Sequence, residues 1–210
     1  MDLNVANELK KGFNDKEGIV ICGYNWGVFD GLENSENESA SKALKKWAFV
    51  SEYKYPYDEK IKKWFESWGY KLEKNDFHQC VIQTNWANTQ SNNFDPKELN
   101  EQKQIENFLY HMKALKPRVL IFMGSNLINA LAKQETLKEF EKIVGEQGEY
   151  KKTQKSGPGT NYVYFWEFKE CKVVCFPHPS GARIKVGVIE KYKNEMQEIF
   201  KKFKEIKKIS

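Results

Sequence analysis

Apolar residues fall along this chain in two alternating textures. Short unbroken runs bounded by glycine or proline are separated by longer stretches in which apolar residues recur every three or four positions. The first texture belongs to strands buried on both faces, the second to amphipathic helices. Strands are expected in GIVICGYNWG, stopping at Gly23, in FHQCVIQT (77–84), in RVLIFMG, in the aromatic run YVYFWEF, and in CKVVCF. Helices are expected over 2–13, 41–47, 57–68, from Asp95-Pro96 to Lys116-Pro117, after Ser125, over 135–144, and from Val188 to the basic end.

Strands alternating with helices predict an α/β fold, a three-layer αβα sandwich on a mainly parallel central sheet of about four strands. The tight turn between YVYFWEF and CKVVCF suggests one antiparallel edge strand. A chain of 210 residues without internal repeats or a long linker suits a single domain over 1–210. Within it, the acidic, serine- and asparagine-rich stretch 29–41 reads as a mobile insertion, 188–208 as a basic C-terminal helix, and GEQGEYKKTQKSGPGT as a loop.

Composition narrows the function classes. Hydrophobic residues at 40% exclude a disordered chain, and no apolar run reaches membrane-spanning length. Without a signal-peptide core at the start, a cytoplasmic location and no membrane partner are expected. The four cysteines, Cys22, Cys80, Cys171 and Cys175, form no CxxC pair and sit in or beside apolar strands, so buried thiols are expected rather than a disulfide, a metal site or an iron–sulfur cluster. Net charge is +5, and the segment from Arg183 to Ser210 carries the whole excess, nine basic residues against four glutamates. That fits a polyanion partner; it equally fits a solvated helix face.

Candidate chemistry gathers where strands end. Gly23-Tyr24-Asn25-Trp26-Gly27, Thr84-Asn85-Trp86-Ala87-Asn88, Gly124-Ser125-Asn126 and His178-Pro179-Ser180-Gly181 each follow an apolar run. In a parallel sheet such ends share one rim, so Asn25, Asn85 and His178 can converge. Pro177 and Pro179 stop the last strand and hold the imidazole on a stiff turn. Two amides and an imidazole suit positioning a water and reading the edge of a planar polar ligand such as a nucleobase. No phosphate loop, carboxylate pair or Ser-His-Asp set competes. The bland reading stays open beside this one: asparagines that satisfy their own turns, and Trp26 and Phe49 as core or lid aromatics.

GYNWG followed far downstream by HPSG resembles the two signature motifs of the uracil-DNA glycosylase superfamily. TNWAN resembles its base-reading strand end, and PRVLIFMGSNLINAL its strand–helix unit with an internal glycine. The four occur in the family's order between Gly18 and about Arg183. The resemblance implies a monofunctional DNA glycosylase that flips a deaminated base, uracil first among candidates, and hydrolyses its N-glycosidic bond without metal or cofactor. It implies that Asn25 positions the water and that His178 stabilises the departing base, a contribution worth about 3–4 kcal/mol by analogy with oxyanion holes. Asn85 would read the base edge. Gly23, Tyr24 and Trp26 would form the pocket with Phe49 as stacking ring, Trp47 and Phe29 being alternatives. Ser180, Gly181, Ala182, Arg183 and Lys185 would meet DNA, and a monomer is expected.

The chain departs from the family's pattern at three places. Trp26 replaces a proline, Gly27 stands where the strictest uracil enzymes carry tyrosine, and small Ala182 takes the place of the wedge that fills the vacated stack. Trp26, the missing wedge and the long acidic insertion keep a second expectation alive: a catalytically inactive module of the same fold that binds nucleic acid or a modified base.

Overall fold

In the computed structural model the described residues are 1–27, 46, 48–50, 55–91, 93–154, 162–180 and 186–209. The expected insertion at 29–41, the ring candidates Phe29 and Trp47, and the DNA-facing positions Gly181, Ala182, Arg183 and Lys185 lie outside them. Described strands are β1 (Ile19–Gly23), β2 (Val81–Asn85), β3 (Val119–Met123), β4 (Gln147–Thr153), β5 (Val163–Phe168) and β6 (Lys172–Phe176). Described α-helices are α1 (Pro56–Ser67), α2 (Asp76–Gln79), α3 (Gln102–Leu115), α4 (Ser125–Leu131), α5 (Gln134–Val144), α6 (Val186–Glu190) and α7 (Lys193–Lys207).

The sheet has six strands in the order β2-β1-β3-β6-β5-β4, not about four. β2, β1, β3 and β6 run parallel, while β5 and β4 are antiparallel to their neighbours. The parallel strands are buried along almost their whole length because both faces are covered. Ile19, Ile21, Val119, Ile121, Val174 and Phe176 pack with residues of α1, α6 and α7, among them Trp64, Phe65, Ile189 and Phe200. Val20, Cys22, Leu120, Phe122, Val173 and Cys175 pack with residues of α3, α4 and α5, among them Phe108, Leu127 and Phe140. This makes three layers.

Several expectations need correcting. No helix forms over 2–13: Ala6 exchanges backbone hydrogen bonds with Gln83 at 2.7 and 3.0 Å, and Asn7 sits at φ 78. Asn7 also donates to Val81 O and accepts from Ala48 N–H, so the segment staples the open edge of β2. The strand expected over 77–84 begins only at Val81, after α2, whose first turn is capped by the Asn75 side chain accepting from His78 N–H. The helix expected from Asp95-Pro96 is interrupted: a 3-10 turn over Pro96–Asn100 precedes α3. The closing helix is two pieces, α6 and α7. β4 forms where a loop was expected; it is an exposed edge strand, and Lys151 and Lys152 on it discourage further pairing.

The basic end of the chain also lies elsewhere than the sequence order suggests. Lys207 Nζ donates to Gly12 O and Lys16 O, residues that precede β1, so the last turn of α7 stands at the amino rim of the sheet. The Pro177–Ser180 turn stands at the opposite, carboxyl rim.

Candidate functional site at the carboxyl rim

β1, β2, β3 and β6 end together, because each runs parallel to its neighbour with Gly23 opposite Asn85 and Met123 opposite Phe176. Strand order reverses at β1, and in open α/β sheets the crevice beside such a point is where ligands bind. The loops after β1 and β2 do not separate at the rim. Trp86 N–H donates to Gly23 O, Ala87 N–H to Tyr24 O, Trp26 N–H to Thr89 O, and Ser91 N–H to Trp26 O. GYNWG is thereby zipped to NWANTQS. Below the zipper, Trp86 stacks on Phe108 at 3.9 Å and donates Nε1–H to Leu99 O.

Gly23 has no room for a side chain. A methyl group on it would lie 2.4 Å from Asn85 Oδ1 and 3.3 Å from the Tyr57 hydroxyl. The glycine therefore lets the Asn85 amide lie flat against the end of β1. Asn85 is 9% exposed, and its backbone oxygen is approached by Asn107 Nδ2. Asn25 is half-buried, and its Nδ2 donates to Ser91 O at 2.9 Å, which fixes the amide within the zipper.

Two aromatic rings pack against His178. The Tyr24 ring stacks on it with centroids 5.2 Å apart and planes 9° apart, and Tyr57 packs against it at 5.5 Å and 40°. Phe94 stacks on Tyr24 at 4.9 Å and 7°, making a run of three rings, Phe94–Tyr24–His178. Burial, and then the neighbouring Lys60 ammonium, push the imidazole down to about 4, so the ring is neutral at pH 7. Lys60 is kept close by donating to Pro179 O at 2.7 Å. His178 Nδ1 lies 3.2 Å from Ser180 N–H and accepts from it. A neutral ring whose Nδ1 accepts carries its proton on Nε2.

Tyr24 is pushed up to about 12, mainly by burial, while a hydrogen bond with the Asn126 backbone opposes the rise. Burial also raises Tyr57. The imidazole and the phenols that meet here are thus neutral at pH 7, with the Lys60 ammonium beside them. Among the described residues no group of three or more His, Cys, Asp or Glu side chains is placed to hold a metal ion.

Gly23, Tyr24, Asn85 and His178 come together, with Asn25 and Trp26 on the adjoining zipper. Phe49 does not join them: it is 1% exposed, and its ring meets edge-on that of His78, which precedes β2 at the other end of the sheet. Tyr24 and Phe94 supply the ring surface instead. Sequence reasoning also missed Tyr57, Asp58, Lys60 and Gln83. Only Gln83 left a trace, as a polar residue interrupting the run VIQT. The others open an ordinary amphipathic helix, where acidic residues are expected.

A groove of about 490 Å³ lies away from this rim, lined by Arg118, Lys172, Lys202, Phe203 and others. Several of its charges are paired, Arg118 with Glu17 and Glu170, Lys172 with Glu167, Lys202 with Glu198. That pairing argues for a solvated seam beside α7 rather than a reactive site.

No known family model matches the chain, and no curated protein sequence matches it. No helix among the described residues is long and apolar enough to cross a membrane.

Proposed function

We propose that the carboxyl rim receives a flipped nucleobase and hydrolyses its N-glycosidic bond, with uracil in DNA the leading substrate. The observation that carries this reading is the state of His178: half-buried between aromatic rings, neutral, and with Nδ1 engaged by Ser180 N–H. Its Nε2–H is then the ring's donor. As the C1′–N bond breaks, its electron pair goes to the base and negative charge gathers on the base carbonyl oxygen. A fixed donor aimed there stabilises that charge without surrendering its proton. Water oxygen adds to C1′, and the water's surplus proton leaves to solvent. Asn25 orients the water, and Asn85 offers donor and acceptor to the base edge. In this reading the protein acts as a monomer without metal or cofactor, and Ser180 meets DNA phosphate.

A second reading is favoured by two contacts. Asn25 Nδ2 is already taken by Ser91 O, and the Tyr24 ring already covers one face of His178. Both suit a module that binds nucleic acid without turnover. Uracil-containing single- and double-stranded oligonucleotides, incubated with the protein and cleaved with alkali, separate the two. Abasic product that disappears in His178→Ala supports excision. Salt-dependent DNA binding with no product supports the binding module. Neither product nor binding removes both.

A further inference from the structure

Asp58 has no role in the chemistry above, yet it is placed as if it had one. It lies in the first turn of α1 and faces β2, where its Oδ1 accepts from Gln83 Nε2–H at 3.3 Å. Gln83 is itself 9% exposed, a polar residue in the middle of the buried strand β2. The Gln83 side chain also acts on the Tyr57 phenol, whose titration it lowers against the effect of burial. That hydroxyl and Asn85 Oδ1 close on the same point above Gly23, while the Tyr57 ring packs against His178. Asp58, Gln83 and Tyr57 therefore follow one another from one carboxyl group to the place where Asn85 and His178, the two side chains that would face a base, stand.

The helix itself does not require this arrangement. An acidic residue in a first turn is favourable there, and Glu59 beside it, paired with Lys62, already supplies one. Burying the carboxyl instead costs stability, since desolvation pushes Asp58 up to about 6 against the opposing effect of Gln83.

We infer that Asp58 is a positioning residue of the site: through Gln83 it fixes the Tyr57 hydroxyl beside Gly23 and Asn85, and the Tyr57 ring against His178. As a carboxylate, Asp58 accepts and so holds the Gln83 amide with its NH2 group toward Asp58 and Tyr57. Once protonated it becomes a donor, the amide turns over to accept, and the Tyr57 oxygen loses its N–H partner. One proton thus separates two arrangements of the rim. On α1 the charged groups acting on Asp58 are Glu59, which raises it, and Lys62, which lowers it. Cys22 and Tyr24 face Tyr57 from β1 and the loop after it, and Lys60 faces His178. His178 titrates near 4, well below Asp58, so the two transitions are distinct.

The test uses the full chain with isotope-labelled tyrosine rings, Tyr57 being assigned through Tyr57→Phe. The Tyr57 resonance is expected to shift with a midpoint near 6 in the wild type and to stay flat across that range in Asp58→Asn. A flat wild-type resonance, or the same titration in Asp58→Asn, overturns the inference. If Asp58→Asn does not fold, Gln83→Met removes the link while keeping the volume, and the same two outcomes decide. A second measurement rests on the excision reading. Single-turnover release of uracil should fall about tenfold per pH unit below about 6 in the wild type, as one-proton control requires, and lose that limb in Asp58→Asn. An unchanged limb in the variant overturns the role of Asp58 while leaving excision standing. A titrating Tyr57 in a protein that releases no uracil at any pH sinks excision and upholds the inference.

Discussion

The hydroxyl of Tyr24 stands where a side chain on Gly124 would begin. A methyl group there would meet it at 2.1 Å, and Gly124 itself holds φ 140, a backbone angle that residues with side chains rarely adopt. The glycine after β3 thus makes room for the ring that stacks on His178. Gly124→Ala should lose about 1–3 kcal/mol from backbone strain alone, and displace Tyr24 besides. Urea unfolding reads the first effect. The imidazole resonances of His178 read the second, and stability equal to the wild type would contradict both.

Tyr24 shields the imidazole from water, so removing its ring should show in the titration of His178. In Tyr24→Ala the histidine should climb from about 4 toward the ordinary value near 6.5, whereas Tyr24→Phe should leave it low. Loss of the stacks on Phe94 and His178 should also cost about 0.5–1.5 kcal/mol for each pair beyond area burial. Histidine NMR across pH 3–8 checks the first expectation, and a ring that stays near 4 in the alanine variant would rule it out.

Asp58 and His111 make stability respond to pH in opposite directions. Asp58 rises from 3.8 to about 6 on folding, so its contribution is fully present below about 4 and lost as pH passes upward through 6. About two pKa units correspond to ~3 kcal/mol, an upper bound from which the lost Gln83 hydrogen bond subtracts. Asp58→Asn should therefore be more stable than the wild type at pH 8, and the gap should close by pH 4. His111 is lowered by burial. Its Nε2 accepts from Asn4 N–H and its Nδ1–H donates to Asn107 O, a pairing that only the neutral ring can make. That contribution is present above about 6.5 and lost as pH falls, so His111→Gln should flatten the loss of stability below pH 6. Urea midpoints over a pH series measure both.

All four cysteines are buried and none is in a disulfide. Burial raises Cys22, Cys171 and Cys175 strongly and pushes Cys80 up to about 11. Since the thiolate is the reactive form, a disulfide reagent at pH 8 should label none of them in the native protein and all four in denaturant. Rapid labelling of the native protein would show that one of them opens to solvent.

The parallel half of the sheet was legible because burial on both faces writes itself as unbroken apolar runs, and β1, β3 and β6 lie where those runs do. β4 was not, because an exposed edge strand has no apolar face to announce it, and QGEYKKT reads as loop. The stripe Leu3, Ala6, Leu9 and Phe13 has helical spacing, yet the open edge of β2 offered Ala6 a backbone partner, and a tertiary hydrogen bond outweighed a local periodicity. At the rim, Asn25, Asn85 and His178 could be found because polar residues ending apolar runs stand out. Phe49 could not be told from a core ring, and it packs as one. Tyr57, Asp58 and Gln83 act only because α1 and β2 meet in space, a juxtaposition that no spacing along the chain encodes.

The paired loops beyond β1 and β2 bear on recognition through entropy. Chain that hydrogen-bonds its neighbour as far as Trp26 and Ser91 has lost its conformational freedom when the protein folds. A ligand arriving there orders nothing further in these segments, so its affinity reflects shape and hydrogen-bond match alone. Glycines placed within 86–91 would loosen the pairing and weaken every ligand by a similar factor. Changes at Asn85 or His178 would instead alter which ligand is preferred.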